Sequence, residues 1–224
     1  MPPRKRTRAT ATQPKSEPAA KKAKNPVDSA PLPPKPVVDT YRPDDQETKE
    51  EIATKVQDLI LKTSERLKVE TVGQFQLRVS ISNTEGDLLL GEDGKTNVEN
   101  IQKSSNTILL ITDKIVGGID REVIITGGIK EIIIATVQIS YFLANVLETG
   151  KIDTTYHTTL FISNNLIESV GITKLKELIP SIDISSVFVP FSNHQSVYLA
   201  GRISHLMPSL AILLENVAGI SNCL

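Results

Sequence analysis

The feature that most constrains the fold is a repeat. From Phe75 onward, "FQLRVSIS" (75–82) alternates as a strand, and two short helical stretches follow, around 84–90 and 95–104. "NTILLIT" (106–112) and "REVIITG" (121–127) are β-branched runs, and a long helical segment runs from about Ile129 to Leu147. The order strand, helix, helix, strand, strand, helix then recurs. Ile81-Ser82-Asn83 is echoed by Ile162-Ser163-Asn164, and "VIITG" (123–127) by "VYLAG" (197–201), so the offset is 81 residues at the start and 74 at the end. The second copy is shorter by seven, and its loss falls in loops: "SVGITKLKEL" stands where the first copy has a glycine loop, and "PFSNHQS" is tighter than "TDKIVGGIDRE". An α+β fold is expected, made of two such units, each a three-stranded antiparallel sheet backed by helices.

The glycine loop, "GEDGKTNVENI" (91–101), invites a nucleotide-binding reading that its spacing excludes. A phosphate-binding loop needs a glycine five positions before Gly94, and Leu89 stands there. Leu89-Leu90-Gly91-Glu92-Asp93-Gly94, an apolar pair followed by G-x-x-G between two short helices, together with "ITDKIVGGIDREVIITG" and the second copy, resembles KH domains of type I, in the poly(C)-binding or hnRNP K-like group.

The resemblance covers about residues 73–149 well and 152–221 weakly. It implies a site for single-stranded RNA or DNA at Leu89, Leu90, Gly91, Glu92, Asp93, Gly94 and Lys95, with Ile108 and Leu110 on the following strand. The family commonly places basic or polar residues between the two glycines. Glu92 and Asp93 stand there in this chain, and a carboxylate beside a phosphate opposes binding by about 1 kcal/mol in water and by roughly a few where water is excluded. Lys95 offsets part of this. Val98 lies four positions beyond Gly94, where the family places an apolar residue three beyond. The second copy keeps Gly171 but has no second loop glycine, and it offers Lys174 and Lys176 alone. The resemblance therefore implies two degenerate KH-like units with a weakened nucleic-acid surface.

Charge divides the chain. Residues 1–40 carry nine Lys or Arg and three Asp or Glu, a net of +6; the remaining sixteen basic and twenty-three acidic residues give −7. The first segment is rich in Pro, Ala, Lys and Arg and poor in large apolar side chains, so residues 1–43 are expected to form a disordered basic tail. Arg4, Lys5, Arg6 and Arg8, then Lys21, Lys22 and Lys24, form two clusters with a spacer, suited to a two-part nuclear import signal or to phosphate contact. The tail lacks the apolar stretch of a secretory signal.

A helix is expected over 44–70, with Asp44 and Glu47 at capping-box spacing and one apolar stripe of Ile52, Val56, Leu59 and Ile60. KH-like units are then expected over 71–149 and 152–221. The most apolar run, "EIIIATVQISYFLANVL" (131–147), is broken by Gln138, Ser140 and Asn145 and is shorter than the roughly 20 residues of a bilayer span, so a buried helix is expected and no membrane contact.

Cys223 is the single cysteine, and His157, His194 and His205 lie at no metal-ligand spacing, so no metal or cofactor is expected. Asp113, Asp120 and Glu122 read as a solvated acidic cluster, and no nucleophile–base arrangement argues for an enzyme. The expected function is that of a nuclear adaptor that acts mainly through protein contacts in an RNA- or chromatin-associated complex, with weakened nucleic-acid binding; the alternative is a sequence-selective binder of C-rich single-stranded RNA or DNA.

Overall fold

Thr48 opens the first helix, α1 (Lys49–Arg66), through a reciprocal capping box: its hydroxyl accepts from the Glu51 amide at 3.2 Å, and the Glu51 carboxylate accepts from the Thr48 amide at 3.0 Å. The computed structural model describes residues 48–69, 73–146 and 153–221. The basic clusters of the tail, Asp44 and Glu47 lie outside them. The box seen among the described residues is that of Thr48 with Glu51, and α1 ends at Arg66, where Leu67 turns to extended backbone; residue 70 also lies outside the described residues. Val56 and Ile60 of the expected stripe are fully buried, and Ile52 and Leu59 pack at its margins.

Residues Asp45–Leu224 form one compact unit. After α1 come β1 (Phe75–Ser82), α2 (Asn83–Leu90), α3 (Thr96–Ser105), β2 (Ile108–Ile111), β3 (Asp120–Gly127) and α4 (Ile129–Val146). The order repeats as β4 (Tyr156–Ser163), α5 (Asn164–Val170), α6 (Ile172–Leu178), β5 (Asp183–Phe188), β6 (His194–Gly201) and α7 (Ile203–Ser221). The Ile-Ser-Asn echo has a structural cause. Ser82 caps α2 in a box with Glu85, and the Asn83 amide and carboxamide donate to Ile119 and Gly118 carbonyls at 2.9 and 2.7 Å. In the second copy the Asn164 amide donates to the Asn193 carbonyl at 2.9 Å. In each case the asparagine ties the first helix of the copy to the turn before its third strand.

The strands form one six-stranded antiparallel sheet in the order β2-β3-β1-β4-β6-β5, not two separate three-stranded sheets. Each triplet has its first strand on the outside, and an unpaired strand edge is a template for another. β1 and β4 meet along these edges and pair at three positions, 78–80 with 159–161. Buried positions align across the registers: Leu109 opposite Ile125, Ile125 opposite Leu77, Val79 opposite Leu160, Leu160 opposite Val197. The core lies on that face.

Helix α4 is long and apolar enough to cross a membrane, yet 61% of it is buried inside this fold. It packs on α3, on α7, on α1 and on β4, so it touches both copies. Three of its polar side chains, Thr136, Gln138 and Ser140, find partners within the fold. The Thr136 and Ser140 hydroxyls donate to carbonyls four residues back, and the Gln138 carboxamide accepts from Ser104 of α3 at 2.9 Å and donates to Gln57 of α1 at 3.3 Å. The Tyr141 ring of α4 lies 6.1 Å from that of Tyr156 on β4, and burial pushes the Tyr156 phenol up to about 12.

Candidate nucleic-acid interface

The loop expected to meet phosphate is built by two helix ends. Helix α2 stops at Gly91 because φ there is +71°, a region glycine enters freely, and the Gly91 amide still donates to the Asp87 carbonyl at 3.0 Å. Glu92 and Asp93 make the turn, Gly94 (φ +76°) donates back to the Gly91 carbonyl at 3.2 Å, and Lys95 leads into α3. Asn97 fixes the angle between the helices by donating to the Leu88 carbonyl at 3.1 Å.

The Asp93 carboxylate, though exposed, is turned back onto its own loop. It accepts from the Lys95 and Thr96 amides at 3.1 and 2.9 Å and from the Thr96 hydroxyl, so it caps the first turn of α3. The Thr96 hydroxyl, then the Thr96 and Lys95 amides, hold its carboxyl down at about 2. Those amides are the donors a phosphate would use at a helix N-terminus. The Lys95 ammonium lies 3.7 Å from Glu99 one turn on, in a loose pair of exposed side chains.

The nine expected site residues do not share one surface. Gly91, Glu92, Asp93, Gly94 and Lys95 form the exposed turn, and Leu90 is half-buried beside it. Leu89 is 1% exposed and belongs to the core. Ile108 and Leu110 are 65% and 60% exposed, alternating with buried Leu109, so they stand on the open face of the sheet, away from its helix-covered face. In the second copy Gly171 (φ +77°) alone joins α5 to α6.

A buried cation beneath α2 carries no obvious sequence signal. Arg121, on the core side of β3, is 8% exposed and reaches the Asp87 carboxylate at 3.0 Å, while Lys114 holds the other oxygen at 2.6 Å. The Lys114 hydrogen bond leads in lowering the Asp87 carboxyl below its ordinary range. Gly86 makes room for this arrangement, since a Cβ there would lie 2.9 Å from Arg121 Cδ. A glycine inside the α2 helical pattern was the available hint. Of the acidic cluster, Asp113 and Asp120 are exposed, and Glu122 pairs with Arg78 at 3.5 Å. Among the described residues no group of His, Cys, Asp and Glu has metal-binding geometry.

No protein-family model matches the chain, and no curated protein matches it.

Proposed function

We propose that the chain is a tandem, degenerate KH-type protein, a nuclear and non-enzymatic adaptor in an RNA- or chromatin-associated complex. It works mainly through protein contacts and has weakened single-strand binding. The observation that carries this reading is Asp93, whose carboxylate takes up the Lys95 and Thr96 amides at the position where a KH loop would receive a phosphate. The single-residue link at Gly171 points the same way. The twice-repeated element order and the central third strand of the first triplet support the KH assignment.

The other reading is a selective binder of C-rich single-stranded RNA or DNA. Exposed Ile108 and Leu110, and the positive φ of both loop glycines, favour it.

Titrating residues 45–224 with poly(C), poly(U) and single-stranded DNA near physiological salt separates the two, because the basic tail is absent and nonspecific attraction is screened. Binding weaker than micromolar, without base preference, is expected. Micromolar or tighter base-selective binding overturns the adaptor reading in favour of the binder. Deleting residues 1–40 is expected to abolish nuclear accumulation; retention in the nucleus refutes the import role of the two clusters.

A further inference from the structure

Although β1 and β4 are each eight residues long, they pair only at Arg78–Phe161, Val79–Leu160 and Ser80–Thr159. The strands therefore diverge on both sides of this crossing, and each divergence opens a window between the open face of the sheet and the helices behind it. The two windows differ in chemistry. The one at the Ser82 end, about 420 Å³, joins Ser and Thr hydroxyls, His157, Glu85 and Asp120 to a smaller apolar part that includes Ile139 and Leu143. The one at the Phe75 end, about 480 Å³, has an apolar floor that includes Ile132, Leu166, Leu214 and Val217, and it has Arg78 and His194 but no carboxylate among its lining residues.

We infer that the second window docks a segment of a partner protein that inserts one bulky apolar side chain and carries a carboxylate beside it. The volume is that of a pocket able to enclose such a group, and its polar side chains are two basic ones, Arg78 and His194, and three neutral ones, Gln74, Gln76 and Ser163, with no carboxylate to repel an incoming one. Arg78 has a loose counter-ion in Glu122, at 3.5 Å with both side chains partly exposed, which a better-placed carboxylate displaces. A polypeptide fits better than an acyl chain. The β1–β4 ladder stops at Arg78–Phe161, leaving the facing main-chain edges of 75–77 and 162–163 outside it, and an extended peptide can hydrogen-bond there while an acyl chain cannot. This inference rests on the adaptor reading and names the surface that reading requires.

The test is a methyl-detected NMR titration of the full 224-residue chain. The probes are the blocked tetrapeptide Ac-Ser-Trp-Glu-Ser-amide, its counterparts with Gln or Lys in place of Glu, and decanoate. The Glu peptide is expected to shift the Ile132 and Leu214 methyls and to bind at least tenfold more tightly than the Gln and Lys peptides. Val217→Trp, which fills the window, is expected to abolish the shifts. Arg78→Gln, a substitution at an exposed position, is expected to remove the tenfold preference and leave the fold intact. Equal binding of the three peptides, shifts confined to other methyls, or no binding overturns the inference. Decanoate binding more tightly than the Glu peptide at the same methyls also overturns it, making the window a lipid site. Poly(C) added to residues 45–224 tests the parent reading separately: silence toward both peptide and poly(C) refutes the window alone, whereas base-selective poly(C) binding refutes the adaptor reading.

Discussion

Asp93 shows how one side chain can satisfy the amides of its own loop. A carboxylate placed on the free amides of a helix start does the work of an anionic ligand, and it is always present at full occupancy. Because its carboxyl is held at about 2 instead of the ordinary 3.8, the cap contributes fully above about pH 4 and is lost as the pH falls through about 2. The Lys95 and Thr96 amide resonances should therefore titrate with a midpoint near 2; a midpoint near 4 would mean that the carboxylate is free. In Asp93→Asn the same resonances should not titrate in this range. Gly86 sets a steric limit nearby. Gly86→Ala should destabilise the fold by about 1–3 kcal/mol in urea denaturation, as over-packing does, because the atom displaced is the stem of a buried arginine. A wild-type midpoint would show that Arg121 yields without cost.

Among the elements, those readable from the sequence owe their form to local periodicity. The change from alternation in 75–82 to helical spacing marks β1 and the helices after it, and the observed α2 and α3 lie within a residue or so of the expected spans. β2 is shorter than its apolar run because Asn106 closes α3 in the left-handed region (φ +57°) and Thr107 accompanies it, its hydroxyl sharing a hydrogen bond with Ser105. The site was legible as a loop but not as a surface. Side-chain direction separates Leu89, turned inward, from Ile108 and Leu110, and that direction depends on where the sheet is covered. Nor does a G-x-x-G pattern reveal which of its two acids is consumed as a cap. Glu92 is not, so Glu92→Lys with Asp93 retained should raise affinity for single-stranded poly(C) at low salt and steepen the salt dependence by about one unit of slope. Unchanged affinity in that variant would mean that the turn no longer approaches a phosphate backbone.

At the scale of the molecule, the decisive contacts are those no local pattern announces: the β1–β4 crossing, and a helix layer in which α4 and α7 pack together while α1 lies on both. The two copies meet along the edges of their first strands, at the β1–β4 crossing, and between the flanks of α4 and α7. Folding should therefore be cooperative across the repeat. The chain has no tryptophan, and of the three tyrosines within residues 45–224 Tyr141 and Tyr156 meet across the two copies, so with Tyr198→Phe in place tyrosine fluorescence reports on their junction while far-UV circular dichroism reports on all elements. The two signals should fall together in one urea transition for residues 45–224. Leu160→Ala, at a fully buried position of the crossing, should move that single transition by about 2–5 kcal/mol. Two transitions, with only the second copy weakened by the substitution, would mean that each copy is stable alone and that the six-stranded sheet joins two folded units without making either depend on the other.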